Sequence, residues 1–155
     1  LNCETSRDKE FQEVNKKRIM FVCIHNSARS QMCEAFVRHY APEEFEAHSS
    51  GIEAGKLNPL VVKAMDEIGV SMEGQYAKPA MEYIERGEEF DYVVTVCDES
   101  SAERCPMFPG NHTRMHWGFP DPSAIGGTEQ EKLAGIRPIR DDIRKRVLDW
   151  IESLS

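Results

Sequence analysis

An apolar run, Ile19-Met20-Phe21-Val22, leads straight into Cys23-Ile24-His25-Asn26-Ser27-Ala28-Arg29-Ser30, and a helical pattern follows from Arg29. Strand, tight polar loop and helix, in that order, constrain the fold more than any other feature of the chain. A strand without polar alternation is one buried on both faces, as in the centre of a parallel sheet. The turn from such a strand into a helix aims successive backbone N–H groups, and the positive helix end, at one point. The planar guanidinium of Arg29 matches two oxygens of a tetrahedral anion. Ser30 can donate a hydrogen bond to sulfur, and Asn26 suits a left-handed turn. Ile24, His25, Asn26, Ser27, Ala28, Arg29 and Ser30 are therefore the expected oxyanion cradle, with Cys23 as the nucleophile facing it. Helix N-termini and cationic neighbours bring a cysteine from about 8.5 to roughly 3.5–7.5, so a thiolate is expected. The competing reading is a buried cysteine that happens to precede a helix. The strand before it, the helix after it and the serine after the arginine weigh against that reading.

The rest of the chain repeats the alternation of strand and helix. Residues 29–40 place Met32, Ala35, Phe36 and His39 on one helical face, and residues 45–50 read as a second strand. Asn58-Pro59 opens a helix that carries Val61, Ala64, Met65 and Ile68, with Gly69 where a C-terminal cap belongs. A short helix is expected over 79–86, a third strand over 92–96 and a fourth over 114–117; proline and glycine make 106–127 a loop. Ile136, Ile139, Ile143, Val147, Trp150, Ile151 and Leu154 mark a long C-terminal helix with Pro138 near its start. The fold expected is α/β: a single-domain three-layer sandwich, a central four-stranded parallel sheet with helices on both faces. Ligands in such folds sit at the C-terminal ends of the strands, where Cys23 and Cys97 both fall.

With 155 residues, the chain is long enough for one full core and too short for two ordinary domains. Residues 1–17 are polar and read as a tail, a linker from something longer or a vector-derived remnant, which leaves 18–155 as the domain. The net charge of −8 argues against nucleic-acid binding, and no apolar run approaches a membrane span. Five cysteines without a secreted-domain rhythm, and no signal-peptide pattern, point to a reducing cytoplasm. Cys33 in the first helix and Cys3 in the tail read as ordinary thiols.

Around the anion loop, the chain resembles the low-molecular-weight tyrosine phosphatase superfamily, and within it the thioredoxin-coupled arsenate reductases. The resemblance covers roughly residues 18–155 and extends to Gln31-Met32, Ser50-Gly51-Ile52-Glu53-Ala54, Asn58-Pro59, Ala64-Met65, Val94-Thr95-Val96-Cys97, Cys105-Pro106 and His116-Trp117-Gly118-Phe119-Pro120-Asp121-Pro122. It implies arsenate as substrate (phosphate or sulfate as analogues), thioredoxin as partner, no cofactor, and a chain that acts as a monomer. It also implies roles. Cys23 attacks arsenate, Asp121 is the general acid, Cys97 attacks Cys23, and Cys105 takes over a disulfide with Cys97. On residue type alone Asp121-Pro122 is a turn, and Cys97 after Val94-Thr95-Val96 could simply be core. A second thiol at Cys105, in a polar loop, weakens the core reading. A disulfide needs its Cα atoms roughly 4.4–6.8 Å apart, whereas eight residues of helix would separate Cys97 and Cys105 by about 12 Å. The segment between them is therefore expected to loop back and to rearrange on oxidation.

The chain departs from the family in two places. The spacing from Cys97 to Cys105 is one residue longer than in many relatives. Some relatives also hold a potassium ion beside the anion loop, using an acidic residue where this chain has Lys78. With Asn26, Glu34 and Ser49 retained, the Lys78 ammonium is expected to stand in for the ion; the bland reading is a surface lysine. Three rival readings stay open. A tyrosine phosphatase would use the same loop and acid, although Ser123 follows Asp121-Pro122 where a tyrosyl ring needs an aromatic grip. A zinc-binding interaction module would use Cys97, Cys105, His112 and His116, at a wider Cys spacing than usual. A sensor domain fused to an upstream partner is the third.

Overall fold

The computed structural model describes residues 16–97 and 106–154. A four-stranded sheet runs in the order β2-β1-β3-β4, with β1 at Lys17–Cys23, β2 at Phe45–Gly51, β3 at Tyr92–Thr95 and β4 at Thr113–His116. Every neighbouring pair is parallel. The helices are α1 (Arg29–Tyr40), α2 (Pro59–Asp66), α3 (Ala80–Glu85) and α4 (Glu129–Ser153), with a short 3-10 turn at Pro122–Ala124. Among the described residues no helix is long and apolar enough to cross a membrane.

The uninterrupted apolar run of β1 is the central strand, and its side chains divide between two cores. Ile19, Phe21 and Cys23 enter the larger one, packed with Met32 and Phe36 of α1, Val61 and Met65 of α2, and Ile136, Ile143 and Val147 of α4. Met20 and Val22 enter the smaller one, on the opposite face, with Ala80 and Tyr83 of α3, Phe90, Val93 and Phe108. The sandwich expected from the alternation is therefore present, with α3 on one side and the three other helices on the other.

Strand order decides where a ligand sits. The chain passes from β1 outward to β2, then returns to the far side of β1 for β3, so the order reverses between β1 and β3. A crevice opens at the C-terminal ends of strands at such a reversal. Val22 pairs with Thr95 there, and Val96 N–H donates to Val22 O at 2.9 Å.

Several local expectations shift. Lys17, assigned to the tail, pairs with Phe45 as the first residue of β1. His39 is exposed, because α1 is buried all round only from Arg29 to Val37, where it backs the anion loop. Pro138 lies well inside α4 rather than near its start. The helix begins earlier because Thr128 and Glu131 form a reciprocal capping box, a Thr-x-x-Glu signal present in the sequence. Burial of Leu133 and Ile136 before the proline and of Ile143 and Val147 after it outweighs its local cost. Leu154, past the last buried turn, is exposed. Asn58 caps α2 as expected, accepting from Leu60 N–H at 3.0 Å, and Gly69 adopts φ +74° beyond its end.

Candidate active site

The loop from 23 to 30 is held by its carbonyls. Ile52 N–H donates to Cys23 O at 3.0 Å, Glu53 N–H to Ile24 O at 2.8 Å, Gly55 N–H to His25 O at 2.9 Å and Asn58 N–H to Ser27 O at 2.9 Å. The Asn26 carbonyl accepts from Gln31 Nε2 at 3.0 Å. A trans peptide directs its N–H opposite to its C=O. Five carbonyls turned outward therefore turn the N–H groups of Ile24, His25, Asn26, Ser27 and Ala28 to the inside. The segment from 52 to 58 acts as a mould, and it fits only because residue 51 lacks a side chain. A Cβ at Gly51 would lie 2.6 Å from Glu53 O and 2.8 Å from both Asn26 N and Ile24 O. The His25 side chain stays outside, exposed and 3.8 Å from Glu53; this residue contributes backbone to the cradle.

Cys23 Sγ sits at the floor of this cup, buried. Ser30 Oγ lies 2.9 Å from it and Asn26 N–H donates to it at 3.1 Å. The direction of the Ser30 contact follows from the network. Asn26 Oδ1 accepts from Lys78 N–H at 2.9 Å and from Gln31 Nε2 at 3.0 Å, so Asn26 Nδ2 faces Ser30 Oγ, to which it donates at 2.8 Å. With its oxygen accepting, Ser30 has its hydrogen free for sulfur. Asn26 also takes φ +54°, the left-handed turn expected of it. Both donors strengthen when the sulfur is charged.

Arg29 opens α1, and its side chain is 5% exposed. Its Nη1 donates to Phe119 O at 3.1 Å, and its Nη2 stands 4.0 Å from Asp121 Oδ2. The two carboxylate oxygens of Asp121 have different neighbours. Oδ1 accepts from Ser123 N–H at 2.9 Å and so builds the turn, while Oδ2 faces the arginine of the anion loop. A carboxyl so placed can exchange a proton with an oxygen bound beside Arg29.

Cys97 lies two residues beyond the end of β3 and is 1% exposed. Strict alternation would put it on the face of Val93, away from Cys23; the strand stops at Thr95, and Cys97 joins the larger core with Cys23 instead. Cys105 lies outside the described residues, as does the whole stretch 98–105 in which rearrangement is expected, and so does Cys3. Cys33 is wholly buried in the same core, and burial, reinforced by the neighbouring Cys23, pushes its thiol well above the ordinary range. That suits an inert packing thiol.

Behind the loop, Glu34 accepts from Ser49 Oγ at 2.8 Å, with Lys78 Nζ at 3.9 Å and Arg38 Nη1 at 3.2 Å. Lys78 is buried rather than a surface lysine, and its ammonium donates to Tyr76 O at 2.8 Å. Burial lowers its pKa, with Glu34 opposing. Asn26, Glu34, Ser49 and Lys78 are thus brought to one place. Among the described residues no three His, Cys, Asp or Glu gather to hold a metal, and of the zinc set His116 pairs with Thr95 Oγ1 at 2.7 Å. Gln31, which ties Asn26 to Tyr76 O, and Gly51 and Asn58 in the mould belong to the resembling segments, but sequence alone assigned them no role in the site. Locally, a glycine closing β2 and an Asn-Pro helix start are the signals they offer.

Residues 18–155 match the low molecular weight phosphotyrosine protein phosphatase family. An arsenate reductase of Halalkalibacterium halodurans is 43% identical over 140 residues, spanning 90% of this chain and 99% of the relative. An arsenate reductase of Bacillus subtilis is 41% identical over the same shares. Among solved structures, an arsenate reductase in a phosphate-binding state superposes with a TM-score of 0.70 at 26% identity, covering 90% of this chain and 99% of that one. The thioredoxin-dependent arsenate reductase of Corynebacterium glutamicum superposes with a TM-score of 0.64 at 27% identity, covering 94% of this chain and 65% of that one.

Proposed function

From the premise that this chain belongs to the low molecular weight phosphotyrosine protein phosphatase family, and within it to the arsenate reductases, we propose that it reduces arsenate through a relay of three thiols. The observation that carries the reading is the entry of Cys97 into the buried cluster of Cys23, at the C-terminal ends of adjacent strands. A hydrolase needs one sulfur there; a reductase needs a second to supply the electron pair.

The Cys23 thiolate attacks arsenic, held by Arg29 and the inward N–H groups, and an S–As bond forms. A hydroxyl leaves as water with a proton from Asp121. Cys97 then attacks Cys23 Sγ. An S–S bond forms, the S–As bond breaks, and its electron pair stays on arsenic, so As(V) departs as arsenite, As(III). Cys105 attacks Cys97, passes the disulfide to Cys97–Cys105 and frees Cys23. A dithiol protein of the thioredoxin class reduces that disulfide, and water is the only other product. The name of the Corynebacterium relative supports thioredoxin as the reductant.

Lys78 belongs to this reading. Its ammonium, 3.9 Å from Glu34 behind Asn26, supplies the positive charge that a bound potassium ion would otherwise bring.

The test compares two activities on the purified protein. Arsenate-dependent consumption of reducing equivalents, with thioredoxin and its reductase, is expected to far exceed hydrolysis of a phosphotyrosine peptide. Efficient hydrolysis with no arsenate turnover would assign the same site to a phosphatase.

A further inference from the structure

Asn58 commits every polar group it has. Its N–H donates to Ser27 O of the anion loop at 2.9 Å, its carbonyl accepts from Val61 N–H at 3.1 Å, and its Oδ1 caps α2 through Leu60 N–H at 3.0 Å. With Oδ1 so placed, Nδ2 points the other way, and it donates to Ser123 Oγ at 3.1 Å across 65 residues of sequence. Ser123 N–H in turn holds Asp121 Oδ1 at 2.9 Å. The stretch that carries the acid is thereby pinned on both sides: Arg29 holds Phe119 O before it, and Asn58 holds Ser123 after it. Both pins are anchored in the anion loop, one by side chain and one by backbone.

We propose that the Asn58–Ser123 hydrogen bond is a latch that positions Asp121 for proton delivery over the anion loop. Ser123 and Asn58 are positioning residues, acting through Asp121; the proposal rests on the reading of Asp121 as general acid. The cap on Asp121 Oδ1 is made by the backbone N–H of Ser123 and not by its hydroxyl. Removing the hydroxyl leaves the cap and the cradle intact and frees the carboxyl from its register with Arg29. Misplacement of a reacting group by about 1 Å can cost about a hundredfold in rate, so partial release is expected to cost about tenfold.

The experiment follows single-turnover arsenite formation by the fully reduced protein, with titration by inorganic phosphate as a measure of the cradle. Ser123→Ala is expected to lower the maximal rate about tenfold while half-saturation by arsenate and phosphate binding stay within about twofold. Ser123→Thr, which keeps the hydroxyl, restores the rate. Asn58→Ser keeps the helix cap but cannot reach Ser123, and reproduces Ser123→Ala; the double variant is no slower than either. Asp121→Asn is slower than all of them. If Asp121→Asn is slow and Ser123→Ala runs at the wild-type rate, the latch is wrong and the acid assignment stands. If Asp121→Asn itself runs at the wild-type rate, the acid assignment fails and the latch with it. Weakened phosphate binding in Ser123→Ala, or additive losses in the double variant, would show a structural role and overturn positioning.

Discussion

Ser30 Oγ lies 2.9 Å from Cys23 Sγ while accepting from Asn26 Nδ2, so its hydrogen is directed at the sulfur. Hydrogen bonds to a charged group contribute about 1.5–3 kcal/mol. Ser30→Ala is therefore expected to slow alkylation of Cys23 by iodoacetamide at neutral pH by roughly tenfold or more. It also leaves the buried Asn26 amide without its acceptor. Alkylation at the wild-type rate, followed by mass spectrometry, would remove Ser30 from the set of groups that activate the thiol.

Gly51 carries a prediction about the mould rather than the chemistry. An added Cβ meets three backbone atoms at 2.6–2.8 Å, and backbone cannot yield as a side-chain tip can. Gly51→Ala is expected to cost about 1–3 kcal/mol in a urea melt and to abolish inorganic phosphate binding by opening the loop. A variant as stable as the wild type that still binds phosphate would show that the segment after β2 does not shape the cradle.

Lys78 makes stability depend on pH in the alkaline range. Burial holds its pKa below the ordinary 10.5, with Glu34 raising and Arg38 lowering it; Glu82 is the other charge acting on it. The facing Tyr83 phenol is itself pushed upward by burial, out of this range. Between the lowered folded pKa and 10.5 the unfolded chain binds more protons than the folded one, so this group makes stability rise with pH. Below the folded pKa its effect is constant. Urea melts of the wild type and Lys78→Met, taken from neutral pH toward about pH 10.5, are expected to diverge progressively in favour of the wild type. A difference that stays flat or reverses would contradict the buried ammonium.

The same residue tests the cation reading. Lys78→Asp places a carboxylate beside Glu34, Ser49 and Asn26, and the pair of carboxylates calls for a monovalent cation. Potassium is expected to raise the melting temperature of this variant by about 2–4 °C over an equal concentration of a bulky organic cation, and to leave the wild type unchanged. A variant indifferent to potassium would end the idea that Lys78 replaces an ion.

The strand-loop-helix around Cys23 could be read because its signals are local: an apolar run, a nucleophile, an arginine and a helix start lie within a few turns of chain. The parallel sheet followed from the alternation, since parallel neighbours require crossovers; the order of its strands came only with the structure. What was hidden depends on distance in sequence. Nothing in Gly51 itself says that Asn26 N and Ile24 O lie within 3 Å of its missing side chain, and nothing in Ser123 points to Asn58. Pro138 misled because proline marks helix starts; tertiary burial along α4 overrode that preference while the Thr128–Glu131 box marked the true start. Arg140, on the buried face of α4, donates to Ala64 O near the end of α2 at 2.8 Å, a cap that periodicity of apolar residues could not reveal.

The central claim is that Cys97 and Cys105 turn an anion cradle into a reductase, and arsenite counted in a single turnover tests it most directly. Reduced wild-type protein, Cys97→Ser and Cys105→Ser are mixed with excess arsenate without thioredoxin, and the products are resolved by chromatography and peptide mapping. The account predicts no arsenite from Cys97→Ser. It predicts one arsenite per chain from Cys105→Ser, with a Cys23–Cys97 disulfide left behind, and one from the wild type with a Cys97–Cys105 disulfide. Arsenite from Cys97→Ser in the wild-type amount would contradict the relay.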